Sequence, residues 1–241
     1  FLANIEELAR TVSLVDLVWN MAAGINLTWQ DKDHFFALTK SVDKTRILGA
    51  IFLVSHAAFE DFLRKLYSEV VQRVSDLKQS RDALLAKHPE ILRNNYSVSG
   101  KALATVHEPI EYMNLNLDDI ALNLSTSVPS TQFPVILNSS AFAFLAPRPE
   151  LDGVIRAYEK ISLKLTKEKL VDSADIREAC KTKAPRETVN AIEAQLAEWV
   201  KLRNRLAHSQ GEVRDVDIAL VTKQHQLLQA FASRLDSLVS S

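Results

Sequence analysis

A single cysteine, Cys180, in 241 residues permits no disulfide within the chain, which favours a reducing compartment. Five glycines and seven prolines are few, so breaks are scarce and long uninterrupted helices are the natural expectation. No apolar run approaches the roughly 18 residues that a membrane span needs. The longest, Ile47 to Val54, has eight, and no membrane partner is expected. Charge of one sign is lacking too: 29 basic residues against 30 acidic leave −1. A protein that holds long duplex by blanket electrostatics carries a basic excess. Any contact with nucleic acid must therefore come from a local patch that meets few phosphates. Glycine-rich phosphate loops, a nucleophile elbow and a dinucleotide fingerprint are also missing. The chain begins at Phe1 rather than Met, which leaves a targeting segment open. With one cysteine and no span, the cytoplasm is the expected compartment.

What is present is helical pattern. Ile5, Leu8, Val12, Val15 and Trp19 recur at three- and four-residue spacing, which predicts an amphipathic helix before a turn around Gly24 to Trp29. Asp43 is a suitable N-cap for a long helix reaching about Asp76. Its first half, Ile47 to Val54, is apolar on every side and reads as the central helix of a bundle. A short helix is expected over Arg81 to Leu92. Residues 94 to about 150 differ: five of the seven prolines fall between Pro109 and Pro149, among frequent Asn and Ser. Long helices are not expected there, only pieces such as Leu117 to Leu124 and an extended Phe133 to Leu137. The apolar content is too high for a disordered linker, so this is read as a loop-rich insertion. Helices resume at Leu151 to Leu165 and near Ser173 to Cys180. Pro185 opens another that runs to about His208, and Asp215 is expected to cap a last one. The fold class is all-α, one helical domain over residues 1–241 with an irregular insertion. Four Asn-x-Ser/Thr triplets, at Asn26, Asn95, Asn123 and Asn138, are read as chance products of Asn- and Ser-rich stretches.

The residues that carry chemistry lie at the end of the helix from Pro185: Arg203-Asn204-Arg205-Leu206-Ala207-His208. Its apolar stripe is expected to be Ile192, Leu196, Trp199, Val200, Leu206 and Ala207. Arg203 lies three or four residues from four of these, where a charge wants a carboxylate, a phosphate or a second chain. Guanidinium groups clamp phosphate oxygens and imidazoles titrate near neutral pH. Asn204 and His208 are four apart and share a helix face. His208 sits in the last turn, where the helix dipole favours its protonated form. The bland alternative is an arginine paired with a buried glutamate beside an unrelated histidine.

Arg203-Asn204-x-x-Ala207-His208 at a helix end, followed by a short turn and a last amphipathic helix, resembles the C-terminal part of the HEPN superfamily. That family comprises small helical bundles named for higher eukaryotes and prokaryotes nucleotide-binding. Ser55 to Leu63, with Glu60 after small and aromatic residues, is similar to an early core helix of its bacterial branches. The resemblance covers about residues 43–76 and 185–239. It implies a metal-independent endoribonuclease that needs no cofactor, with two copies meeting in a homodimer through the motif helix. His208 would activate the RNA 2′-hydroxyl or protonate the leaving 5′-oxygen, and Arg203 would stabilise charge on phosphorus. Asn204 would orient one of them, while Lys201 and Arg205 would bind substrate. The products would carry 2′,3′-cyclic phosphate and 5′-hydroxyl ends. A bacterial defence or stress role follows, as in toxin–antitoxin or phage-defence systems, with an antitoxin or other regulatory partner. Some toxin members carry a Tyr two residues after the His; here that position is Gln210, so modification of that Tyr is not expected. The rival reading is a module that keeps the fold without cleavage and serves RNA or protein binding and dimerisation.

Other constellations are weaker. His56 and Glu60 are four apart and read as a buried pair hydrogen-bonded within a bundle, with Glu60 also a candidate acid behind Arg203. His34, His88, His107 and His225 show no metal-ligand spacing with Asp, Glu or Cys. Cys180 has no activating neighbour in sequence and reads as structural.

Overall fold

A computed structural model describes residues 3, 5–13, 44–104, 115–128, 134–208 and 216–240, with only the backbone of His208. Among these residues the regular structure is helical and no strand occurs, so the chain is all-α. In chain order, α1 covers residues 5–13, α2 Lys44–Asp76, α3 Arg81–Lys87, α4 Pro89–Ala104 and α5 Leu117–Ser125. A 3-10 helix, Ser139–Leu145, precedes α6 Leu151–Glu159, α7 Lys167–Val171, α8 Ala174–Cys180, α9 Pro185–His208 and α10 Ile218–Ser240. No described helix is long and apolar enough to cross a membrane. Val15, Trp19, the Gly24–Trp29 turn and the Asp43 cap lie outside the described residues.

The chain divides into two compact units. The first comprises Phe1–Phe59 and Val171–Ser233, the second Glu60–Leu170 and Arg234–Ser241. In the first, α9 turns a stripe of Val189, Ile192, Leu196, Trp199 and Leu202 inward, each buried, with Leu206 half-buried. Leu202, not Val200, continues the stripe, and Ala207 is exposed; spacing by threes and fours selects Leu202 once Trp199 is fixed inside. Trp199 meets Phe52 of α2 edge to face at 6.5 Å, a geometry that the ring quadrupoles favour. The core is completed by Phe59 against Phe231 of α10 at 5.9 Å. The run Ile47 to Val54 is not buried all round. Ala50 is exposed and Val54 is 53% exposed, so α2 keeps one strip toward solvent.

The first turn of α9 forms where expected. Pro185 gives up no needed hydrogen bond there. Thr188, fully buried, donates to the Ala184 carbonyl at 3.0 Å and shares a 2.7 Å hydroxyl contact with Thr182. The last helix is capped by Asp217 rather than Asp215: its Oδ1 accepts from the Leu220 amide at 2.7 Å. Asp215 lies outside the described residues.

The second unit differs most from the sequence reading. Instead of one short helix over Arg81 to Leu92 there are two, broken at His88 because Pro89 cannot donate backward. The second continues to Ala104, ten residues into the stretch expected to be irregular. Residues 134–138 form no helix, and burial alternates, with Val135 and Leu137 inside and Pro134 and Ile136 outside. Their amides are satisfied one by one: Val135 by the Gln79 carbonyl, Ile136 by Thr126 Oγ1, Leu137 by Ser75 Oγ and Asn138 by Asn95 Oδ1. Asn138 Nδ2 then donates to Ser99 Oγ at 2.8 Å and to the Ile120 carbonyl at 3.0 Å. The Asn and Ser residues of this region thus replace a missing backbone ladder. Asn95 and Asn138 are buried and unavailable for glycosylation in the folded state.

Candidate functional site

The hexapeptide occupies the last turns of α9. The placement of that end is set by one close approach. Gly49 of α2 stands where an added Cβ would lie 3.1 Å from Leu206 Cδ2. An alanine there would need the Leu206 methyl to give by a few tenths of an ångström, and a larger residue would meet the helix more closely. Gly49 meets Leu206 and Phe52 meets Trp199. Residue numbers therefore rise along α2 as they fall along α9, and the helices run antiparallel.

On this frame Arg203 is half-buried and Asn204 exposed. The Arg203 Nη1 donates to Asn204 Oδ1 at 3.2 Å. A guanidinium has no acceptor, so only the amide oxygen can face it, and the Asn204 NH₂ is turned outward with two donors. Asn204 thus touches Arg203. Arg203 lies in line with the buried Ile192, Leu196 and Trp199 at the far end of their stripe. Lys201 and Arg205 are exposed and lie on the opposite face of the helix. His208 closes the helix; its side chain lies outside the described residues.

Glu60 falls in the second unit. There it lines a cavity of about 280 Å³ together with Arg64, Arg148 and Phe144. His56 is buried, 1% exposed. Among the described residues no group of three or more His, Cys, Asp or Glu could hold a metal ion. Cys180 faces a cleft of about 980 Å³ between α8 and α10, shared with Asp175, Lys181 and Lys223. Burial pushes its thiol up, against a smaller opposing pull from Lys223, which lowers its thiolate fraction.

One polar pair escaped the sequence reading. His225 Nε2 lies 2.6 Å from Ser55 Oγ, both buried, across 170 residues of sequence. Ser55 Oγ also donates to the Ile51 carbonyl at 2.8 Å. The hydroxyl proton is thereby used, which makes His225 Nε2 the donor to Ser55. Burial holds the His225 imidazole below its ordinary range. No local spacing announces such a pair, since each partner lies on a different helix. With the hydroxyl sealed in the core, the pair locks α10 onto α2 and offers no exposed nucleophile.

No family model, characterised protein or solved structure matches the chain. The functional argument therefore rests on these residues and their arrangement.

Proposed function

We propose that the protein is a metal-independent endoribonuclease of the HEPN type, acting in the cytoplasm in bacterial defence or stress response. The observation that carries the reading is the Arg203 guanidinium held against Asn204 in the last turns of α9, one turn before His208. In the proposed reaction the RNA 2′-oxygen attacks the adjacent phosphorus and gives up its proton. The P–O5′ bond breaks, and the leaving 5′-oxygen takes a proton. The products are a 2′,3′-cyclic phosphate and a 5′-hydroxyl. His208 supplies one of these proton transfers, its imidazole acting as base or acid. Arg203 meets the charge that grows on the non-bridging oxygens. The outward NH₂ of Asn204 offers a further donor to the same phosphate. A homodimer pairing two α9 ends would bring a second His208 to the remaining transfer, and an antitoxin or other regulatory partner would cover the same end.

The experiment is cleavage of labelled total RNA and tRNA in EDTA by the wild-type chain, Arg203→Ala and His208→Ala. Cleavage that survives EDTA, leaves cyclic-phosphate ends and vanishes in both variants supports the reading. Folded wild-type protein that binds RNA and cleaves neither substrate overturns it in favour of the non-catalytic binding module.

A further inference from the structure

Within the first unit, α1 and α10 enclose a cavity of about 460 Å³, inside the range of about 300–1,000 Å³ usual for small-molecule sites. His225, Gln226 and Gln229 line it from one face of α10, and Ile5 and Val12 line it from α1. His225 is 4% exposed. Its Nε2 donates to Ser55 Oγ at 2.6 Å, because the Ser55 hydroxyl proton is spent on the Ile51 carbonyl. Nδ1 of the neutral ring is then left with a lone pair, and no described residue donates to it. Among the described lining residues Glu6 alone carries a formal charge. Both Glu6 and His225 Nδ1 are therefore acceptors, and both Gln side chains can add an amide oxygen. An anion would meet a like charge here and a lone pair. A primary ammonium group brings three donors and no acceptor, and Ile5 and Val12 suit a hydrocarbon chain behind it.

We propose that the α1–α10 cavity binds a primary alkylammonium compound, with its head on the acceptors His225 Nδ1 and Glu6 and its chain against Ile5 and Val12. The site is separate from the end of α9 and does not depend on the endoribonuclease reading. Ser55 acts as the positioning residue: by accepting from Nε2 it fixes the tautomer that leaves Nδ1 able to accept. No bond is made or broken, so the cavity holds its ligand without transforming it.

The test is calorimetric titration of the full chain at about pH 8, where an alkylamine stays charged. The probes are n-hexylammonium, n-hexanol and n-hexanoate, which share one chain and differ only in the head. Hexylammonium should bind about tenfold more tightly than either of the others, as a charge-assisted hydrogen bond requires. Glu6→Gln should weaken it about fivefold, the size of an exposed charge contact. Glu198→Gln, which removes an exposed glutamate of α9, should leave affinity at wild type. Ala9→Phe fills the cavity from α1 and should abolish binding with Tm unchanged or raised. Adding the amine should also move the ¹⁵N resonance of His225 Nδ1, which marks the acceptor. Hexanol or hexanoate bound as tightly as hexylammonium overturns the inference. So does wild-type protein that takes up no amine, or amine affinity that is the same in wild type and Glu6→Gln.

Discussion

Asn204 shows how one side chain can limit what its neighbours do. Its amide oxygen faces Arg203 Nη1, so removing it takes one acceptor from the guanidinium while leaving its charge in place. Asn204→Ala should lower kcat about 10- to 100-fold with little change in KM, the signature of lost positioning; steady-state cleavage kinetics check this. His225 governs a second property. Burial holds its imidazole below the ordinary range, so the unfolded chain takes up this proton first as pH falls. Stability should be fully present above the unfolded value of about 6.5 and decline as pH drops through it. Urea midpoints between pH 8 and 5 should show this slope in the wild type and a flatter one in His225→Gln, which can still donate to Ser55. A wild-type midpoint unchanged down to pH 5 would contradict the assignment.

Among the elements, α2 and α9 meet beside the candidate site where Gly49 approaches a Leu206 methyl. Gly49→Ala places a Cβ 3.1 Å from Leu206 Cδ2, yet gains about 1 kcal/mol of helix propensity. Because Leu206 is half-buried and its methyl can shift, the net change in stability should be small. Gly49→Val has no such escape and should lower Tm and cleavage together, with Leu206→Ala restoring part of both in a double-mutant cycle. In the other unit, Asn138→Ala strips partners from Ser99 and the Ile120 carbonyl and should cost about 2–3 kcal/mol in denaturant unfolding. Helix boundaries were legible where punctuation is strong: Pro185 opens α9, and Leu117–Ser125 forms where its pattern places it. They failed where one signal outweighed another. Proline density suggested irregularity from residue 94, but Pro109 lies beyond Ala104 and does not disturb α4. Asp215 and Asp217 are chemically equal caps, and the register of α10 decides between them.

For the whole molecule, two compact units are threaded by the same two helices. The division falls at Phe59/Glu60 within α2 and at Ser233/Arg234 within α10. Helix propagation is cooperative, so melting one half of α2 or α10 removes the template of the other. A single unfolding transition is expected, with circular dichroism and tryptophan fluorescence giving the same midpoint; two resolved midpoints would show independent units. The sequence by itself determined the all-α class and the extent of α9, because periodicity and proline placement are local properties. Only the tertiary structure decided that Leu202 replaces Val200 inside, that Asn204 faces Arg203 and that His225 meets Ser55. These depend on which helix faces pack together, and that choice is made by close contacts such as Gly49 against Leu206, which link residues far apart in the chain.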